Sequence, residues 1–302
     1  RDIFVKGQYD SIIALGGGII VDVAKIVNLA VSQKVADACQ LSPATAIRDP
    51  LGPLVVIPTF AVNGMETSKY AVLSGKTFTS VHLMPDLVVL DPRLTRAKDG
   101  KTVAEAGIAA FGRTLEAYIA PDKNPFMDAY AFTAMRFIRE NLALAVKKRC
   151  NKKESLAVAN AVAMSGCVIS NTDQNVLHRL GQVFQNTVHV HPGVIIGMCL
   201  YPLLDDTMKK GNSLVSNLLL LLGGDDKYAA MPEAGRTGAA LREVYGFTYE
   251  IYSMLKGKMP QTIREAGIPQ YLMDDVLEVI NQEPDGTYLR TVIDRVGGST
   301  KA

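Results

Sequence analysis

The chain has 302 residues, 48% of them hydrophobic and 21% charged, enough for one large or two ordinary domains with real cores. A net charge of +2 gives no reason to expect nucleic acid or an anionic membrane as a partner, and the longest leucine run, Leu218–Leu222, is far too short to cross a bilayer. The cysteines (Cys39, Cys150, Cys167, Cys199) stand far apart with no Cys-x-x-Cys, which fits a reducing, cytoplasmic setting and buried thiols rather than a disulfide frame or a zinc site.

In chain order, the first segment starts at Arg1 rather than methionine, and its approach to Ser11 reads as cut short, so a preceding segment is expected. Ile12–Leu15 reads as a strand and Val21–Val31 as a helix, with Leu54–Ile57 as a second buried strand ended by Pro58. Tyr70–Leu73 and Thr77–Leu83 flank Ser74-Gly75-Lys76, a hairpin signal, and Leu87–Leu90 is a third apolar strand stopped by Asp91-Pro92. Strands alternating with helices predict a parallel sheet. Beyond Pro92 the text turns helical. Helices are expected at Thr102–Ile119, Pro125–Asn141, Glu154–Ser170, Leu214–Leu222, Ala234–Val244, Tyr249–Leu255 and Met273–Ile280. The expected division is an α/β domain over 1–92 and an all-α domain over 93–302, with a cleft between them facing the turn after the first strand.

That turn carries the strongest signal. Gly16-Gly17-Gly18 lies between a strand and a helix, where glycines let the backbone turn sharply and approach a ligand. The helix start then aims N–H groups and its positive dipole end at a phosphate. A full Gly-x-Gly-x-x-Gly would need glycine at 21, where Val21 stands. Asp22 either contacts the ligand or favours the helix start, and Lys25 is either a site residue or a solvated charge.

Several separated segments resemble the iron-containing (group III) alcohol dehydrogenase family. They are Gly16-Gly17-Gly18-x-x-x-Asp22-x-Ala24-Lys25, Pro58-Thr59-x-x-x-x-Gly64-x-Glu66-Thr67, and the run from Met84 through Asp91-Pro92-x-Leu94-Thr95. Glu116-Ala117-Tyr118 with Asn124-Pro125-x-x-Asp128-Ala129, and the stretch from Ser165-Gly166 through His178 to Pro192-Gly193, follow in the family's order. The resemblance implies a dehydroquinate synthase-like architecture, NAD or NADP as coenzyme, a small alcohol or aldehyde as substrate, and a homodimer or higher assembly. It implies coenzyme contacts at Gly16, Gly17, Gly18, Asp22, Thr59, Asn63, Gly64, Lys76 and Leu94. Lys76 reaches a cofactor phosphate or is a solvated turn residue.

The family holds a divalent metal, iron or zinc, with one Asp and three His. Aligned on Glu116-Ala117-Tyr118, the Asp position is Ala109 and the first His position is Arg113. Alanine has no donor atom, and a guanidinium keeps its proton and offers no lone pair. The third ligand falls on His178, the nearby family His becomes Gln182, and the fourth is matched by His191 in a swapped His191-Pro192-Gly193, with His189 a weaker candidate. His178 and His191 are therefore the remaining metal candidates, in a site expected to bind metal poorly. His189-Val190-His191, if extended, would set two imidazoles on one side.

Arg113 either replaces the metal's charge at the substrate oxygen or fills the pocket by pairing with Asp173 or Glu116. His178 either handles the proton or packs between helices, while Asp173 either orients it or is a surface acid. His82, in the hairpin, reads as structural or exposed. The expected function is an NAD(P)-linked oxidoreductase on a small alcohol or aldehyde. The alternatives are a catalytically silent nucleotide-binding relative and, more remotely, a cyclase of the dehydroquinate synthase type.

Overall fold

The computed structural model describes the chain except residues 43–46, 48, 60–62, 96–98, 121–123, 148–151, 173–175, 258, 284 and 299–302, and the side chain of Cys39. Phe60, Cys150 and Asp173 thus lie outside the described residues.

A short helix α1 (Asp2–Lys6) leads to β1 (Ile12–Gly16), and α2 (Gly18–Ser32) follows at once. Then come β2 (Leu54–Pro58), the hairpin β3 (Tyr70–Leu73) and β4 (Lys76–Thr79), and β5 (Leu87–Val88). The strands β1, β2 and β5 form a parallel sheet in the order β1-β2-β5, with Gly16 opposite Pro58 at its carboxyl end. Small inward residues explain how α2 lies against it. Ala14, Leu54 and Val56 pack on Val21 and Ala24, and a Cβ added to Gly16 would stand 2.7 Å from Ile20. Outward along β1, Ile13 and Leu15 remain exposed.

The expected strand Thr77–Leu83 is shorter because Ser80 caps a 3₁₀ turn at Val81–Leu83, its hydroxyl accepting the His82 N–H. Leu87–Leu90 pairs only as β5, with the Val89 N–H still reaching Val56 O at 2.9 Å.

The rest of the chain is helical: α3 (Gly100–Tyr118), α4 (Pro125–Lys147), α5 (Lys152–Ser170), α6 (Val176–Val188) and α7 (Pro192–Lys209), then α8 (Leu218–Gly223), α9 (Asp225–Ala230), α10 (Glu233–Met254), α11 (Gln270–Gln282) and α12 (Gly286–Ile293). Every residue of α3 from Val103 to Ala117 is buried. Its Ala- and Gly-rich sequence lets α4, α5, α6 and α7 crowd it from all sides. Asp99 caps it by accepting the Thr102 N–H at 2.8 Å.

The two helices expected at 234–244 and 249–255 are one, α10. Gly246 weakens a helix, but buried Val244, Phe247 and Ile251 hold this one continuous. The helix expected at Leu214–Leu222 begins instead as a 3₁₀ turn, Ser213–Asn217, capped by the Asn212 side chain. No described helix is long and apolar enough to cross a membrane.

Candidate active site

The turn Gly16-Gly17-Gly18 sits at the carboxyl end of the parallel sheet, where open α/β sheets bind ligands. Gly17 is the N-cap of α2, and no side chain caps that helix, so its N-terminus is open to an anion. Thr59 follows β2 beside this turn, its N–H donating to Gly16 O at 3.1 Å. These features fit a dinucleotide's phosphates.

A cavity of about 410 Å³ runs from this turn into the helical layer. Gly18, Ile19 and Asp22 line one end, the hairpin tip Ser74-Gly75 one side, and Asn63, Arg113 and His178 the interior. From α6 the wall is His178, Gln182, Gln185 and Asn186, with His189 just beyond the helix end. This spacing sets them on one helical face. The opposite face, with Leu177, Leu180 and Phe184, is buried in the helical core. The cavity deepens along that face from exposed Gln185 and His189 to buried His178.

Arg113 is only 1% exposed. Its Nη1 donates to the Asn63 carbonyl at 2.5 Å, and its Nε has no hydrogen-bond partner. Burial lowers its pKa to about 10, opposed by Glu116 and Glu66. The expected pairing with Glu116 does not form. Glu116 turns instead to α6, where its two oxygens accept the N–H groups of Val176 at 2.6 Å and Leu177 at 3.0 Å.

His178 is buried with both ring nitrogens lacking a partner, and its ring lies 5.2 Å from that of Tyr70. Burial, reinforced by Arg113 and Arg179, holds its pKa well below the ordinary imidazole value, so the ring is neutral.

Asp22 lines the cavity and burial raises its carboxyl to about 7, Lys25 pulling the other way. Its Oδ1 is buried without a partner. Lys25 is not a solvated charge. It is fully buried and donates to the carbonyls of Met65 at 2.7 Å, Ser68 at 2.7 Å and Tyr70 at 2.8 Å, fixing the segment before β3. Burial lowers its pKa to about 8 against the attraction of Asp22 and Glu66.

Other expected contacts fall elsewhere. Gly64 takes φ +82° and is pressed against α5, where a Cβ on Gly166 would stand 2.0 Å from Gly64 O. It is a packing residue that leaves the neighbouring Asn63 free to face the cavity. Thr59 borders the glycine turn but does not line the cavity. Lys76 is exposed beside the hairpin tip, and Leu94 is 37% exposed in the turn after β5; neither lines the cavity.

His191 is the N-cap of α7, its Nδ1 accepting the Gly193 N–H at 3.1 Å, and its Nε2 lies 3.4 Å from Asn63 Nδ2. Burial and the nearby Arg113 lower its pKa to about 4. His189, at φ +56°, lines the cavity while His191 does not, so this His-x-His is not an extended pair. His82 lines a smaller polar pocket beside Asn28 and Asp86.

The donor chemistry does not fit a tightly held divalent metal. Ala109 is buried and offers no atom, Arg113 brings a cation, and His191 is committed to capping. Among the described residues no three His, Cys, Asp or Glu side chains gather closely enough to hold an ion. The features missed from the sequence are helices α6 and α7, which were not among the expected helices, with them the α6 face, and the cap supplied by Glu116. The recurrence of His178, Gln182, Gln185 and His189 at helical intervals was the available signal for the α6 face.

The comparisons agree with this architecture. The model for "iron-containing alcohol dehydrogenase" matches residues 1–92, and that for the C-terminal region of the same family matches residues 103–280. A long-chain-alcohol dehydrogenase of Geobacillus thermodenitrificans is 26% identical over 89% of this chain and 68% of its own length. A probable alcohol dehydrogenase, EutG, of Escherichia coli is 32% identical over 63% of this chain and 50% of its own length. The chain thus spans only about half of some curated relatives. A crystal structure of a 1,3-propanediol oxidoreductase superposes with a TM-score of 0.82 at 21% identity, covering 98% of this chain and 79% of that one. Sulfoacetaldehyde reductase from Bifidobacterium kashiwanohense, solved in complex with NAD+, superposes at 0.77 with 18% identity, covering 99% and 79%. With family models matched across both its sheet region and most of its helices, the chain belongs to the iron-containing alcohol dehydrogenase family.

Proposed function

We propose that this chain is an NAD(P)-linked oxidoreductase interconverting a small alcohol and its carbonyl compound, and that a guanidinium stands in place of the family's metal. The observation that carries the reading is the single cavity joining Gly18, at the open helix start, to Arg113 and His178. A nicotinamide coenzyme, when bound, supplies or takes the hydride.

The chain's own residues supply the rest. The N-terminus of α2 and the turn before it hold the coenzyme's phosphates, and Asn63 lies along the path from that turn to Arg113. Arg113 stabilises negative charge on the reacting oxygen, a role a desolvated guanidinium performs well. His178, held neutral by its surroundings, gives an N–H to that oxygen and takes up a proton at its other nitrogen when it releases one. No metal step is part of this reading, because Ala109 and Arg113 remove two donors and add a repelling charge.

The test is direct. Protein purified without added metal is mixed with NADH or NADPH and short aldehydes, and loss of reduced-coenzyme absorbance is followed. Turnover that survives a chelator is expected. Turnover that appears only on adding iron or zinc would overturn the guanidinium reading. Coenzyme binding without any turnover would favour a silent relative.

A further inference from the structure

The cavity holds a buried cation with no ion-pair partner among the described residues. Arg113 is buried, and a buried cation ordinarily stands against a carboxylate. Among the described residues none pairs with it. Nη1 is taken by the Asn63 carbonyl, and Nε has no partner at all. The acids that act on it are Glu116 and Glu66. Glu116 has both oxygens engaged by α6, and Glu66, though buried, makes no hydrogen bond or ion pair with Arg113. Lys25, also buried, has its ammonium enclosed by three carbonyls.

The wall beside Arg113 is rich in hydrogen-bonding groups. Gln182 faces the same cavity, and both nitrogens of His178 are unengaged. A desolvated guanidinium open to a solvent-connected cavity calls for an anion delivered by the ligand.

We propose that the substrate brings that anion: it is a short 2-oxo acid, interconverted with the 2-hydroxy acid, whose carboxylate pairs with Arg113 while its adjacent carbonyl oxygen meets His178. This rests on the oxidoreductase reading above. In such a molecule the carboxylate and carbonyl oxygens are neighbours, and the planar guanidinium fork can serve both. On reduction, hydride from the reduced coenzyme adds to the carbonyl carbon. The π pair of the C=O moves to oxygen, which takes a proton through His178, and the carboxylate leaves unchanged. The coenzyme is oxidised by the same two electrons.

The experiment compares glyoxylate and pyruvate with acetaldehyde and acetone in coenzyme oxidation. In parallel, binding of oxalate, an unreactive dianion, is measured by calorimetry with and without NAD+. The expected kcat/KM for the acids exceeds that for the neutral compounds by about 100-fold or more, since a site built around a charge rejects a ligand lacking it. Arg113→Gln is expected to bring that ratio close to 1 and abolish oxalate binding. Arg113→Lys, which keeps the charge but loses the fork, covers the case in which the glutamine variant does not fold, and is expected to retain part of the preference.

Neutral carbonyls turned over as well as the acids would overturn this inference and leave the oxidoreductase reading standing. Oxalate binding that depends on Arg113, with no carbonyl compound turned over, would support the anion site and overturn the oxidoreductase reading. Neither turnover nor oxalate binding at millimolar concentration would overturn both.

Discussion

Arg113 and Glu116 stand one turn apart on α3 and reach in different directions: the guanidinium to the Asn63 carbonyl, the carboxylate to the first N–H groups of α6. One buried helix therefore clamps two walls of the cavity. The Asn63 side carries the sheet layer, and the α6 side carries His178. A carboxylate at a helix start also meets the positive end of its dipole, which makes Glu116 a suited anchor for α6.

Replacing Glu116 should loosen α6 before it touches chemistry. Glu116→Ala leaves the Val176 and Leu177 N–H groups buried and unpaired, a cost of roughly 3 kcal/mol. Glu116→Gln keeps one acceptor and should lose about half as much. Urea unfolding measures both. Two variants as stable as the parent chain would show that the carboxylate does not anchor α6.

The contact between Gly64 and Gly166 should tolerate no side chain. A Cβ on Gly166 would stand 2.0 Å from Gly64 O and 2.1 Å from Thr67 Oγ1. The hydroxyl can turn away, but the carbonyl moves only if the Asn63-Gly64 backbone moves with it. Gly166→Ala is therefore expected to cost about 3 kcal/mol and to weaken turnover, because Asn63 O is the partner of Arg113. Gly211→Ala is the control: φ there is +79° with open space around it, so only backbone strain of about 1 kcal/mol is expected. Thermal melts of the two variants separate overlap from strain; equal losses would defeat the packing argument.

The strand–glycine–helix turn, the buried strands and most helices were legible because apolar periodicity and glycine placement are local properties. Lys25 was not. A lysine in the second turn of a helix reads as solvated, and only the distant Met65, Ser68 and Tyr70 carbonyls make it a buried strut. Gly64 belonged to a recognisable motif, but its close contact with Gly166 depends on a helix a hundred residues later. Arg113 was legible as a departure from the family pattern. That it would pair with a backbone carbonyl rather than Glu116 was not, because Glu116 is drawn away by α6, whose register no local signal sets.

Lys25 should be hard to replace. Lys25→Met removes three short bonds at once and strands three carbonyls, for an expected loss of about 3–5 kcal/mol. Lys25→Arg retains the charge, but its planar fork cannot point at three converging carbonyls, so it should rescue little. Denaturant unfolding reads both. A methionine variant of parental stability would remove Lys25 from the account of how the segment before β3 is held.

Asp22 supplies a dependence of stability on pH. Its ordinary carboxyl value is 3.8, and burial raises it to about 7 in the folded chain. Between these values the folded protein keeps a proton that the unfolded chain has released. Asp22 therefore costs nothing below about pH 4, and destabilises the fold progressively as pH rises toward 7, levelling off above that. While it alone titrates, the slope is about 1.4 kcal/mol per pH unit, and Lys25 beside it reduces the total. Asp22→Asn presents a neutral side chain at every pH, so its stability should fall less steeply from pH 4 to 7 and should exceed the parent's most clearly at pH 8. Urea midpoints across that range measure the difference. Parallel curves for the two proteins would mean that Asp22 is ionised in the fold throughout, and that its partnerless Oδ1 is reached by a donor such as water.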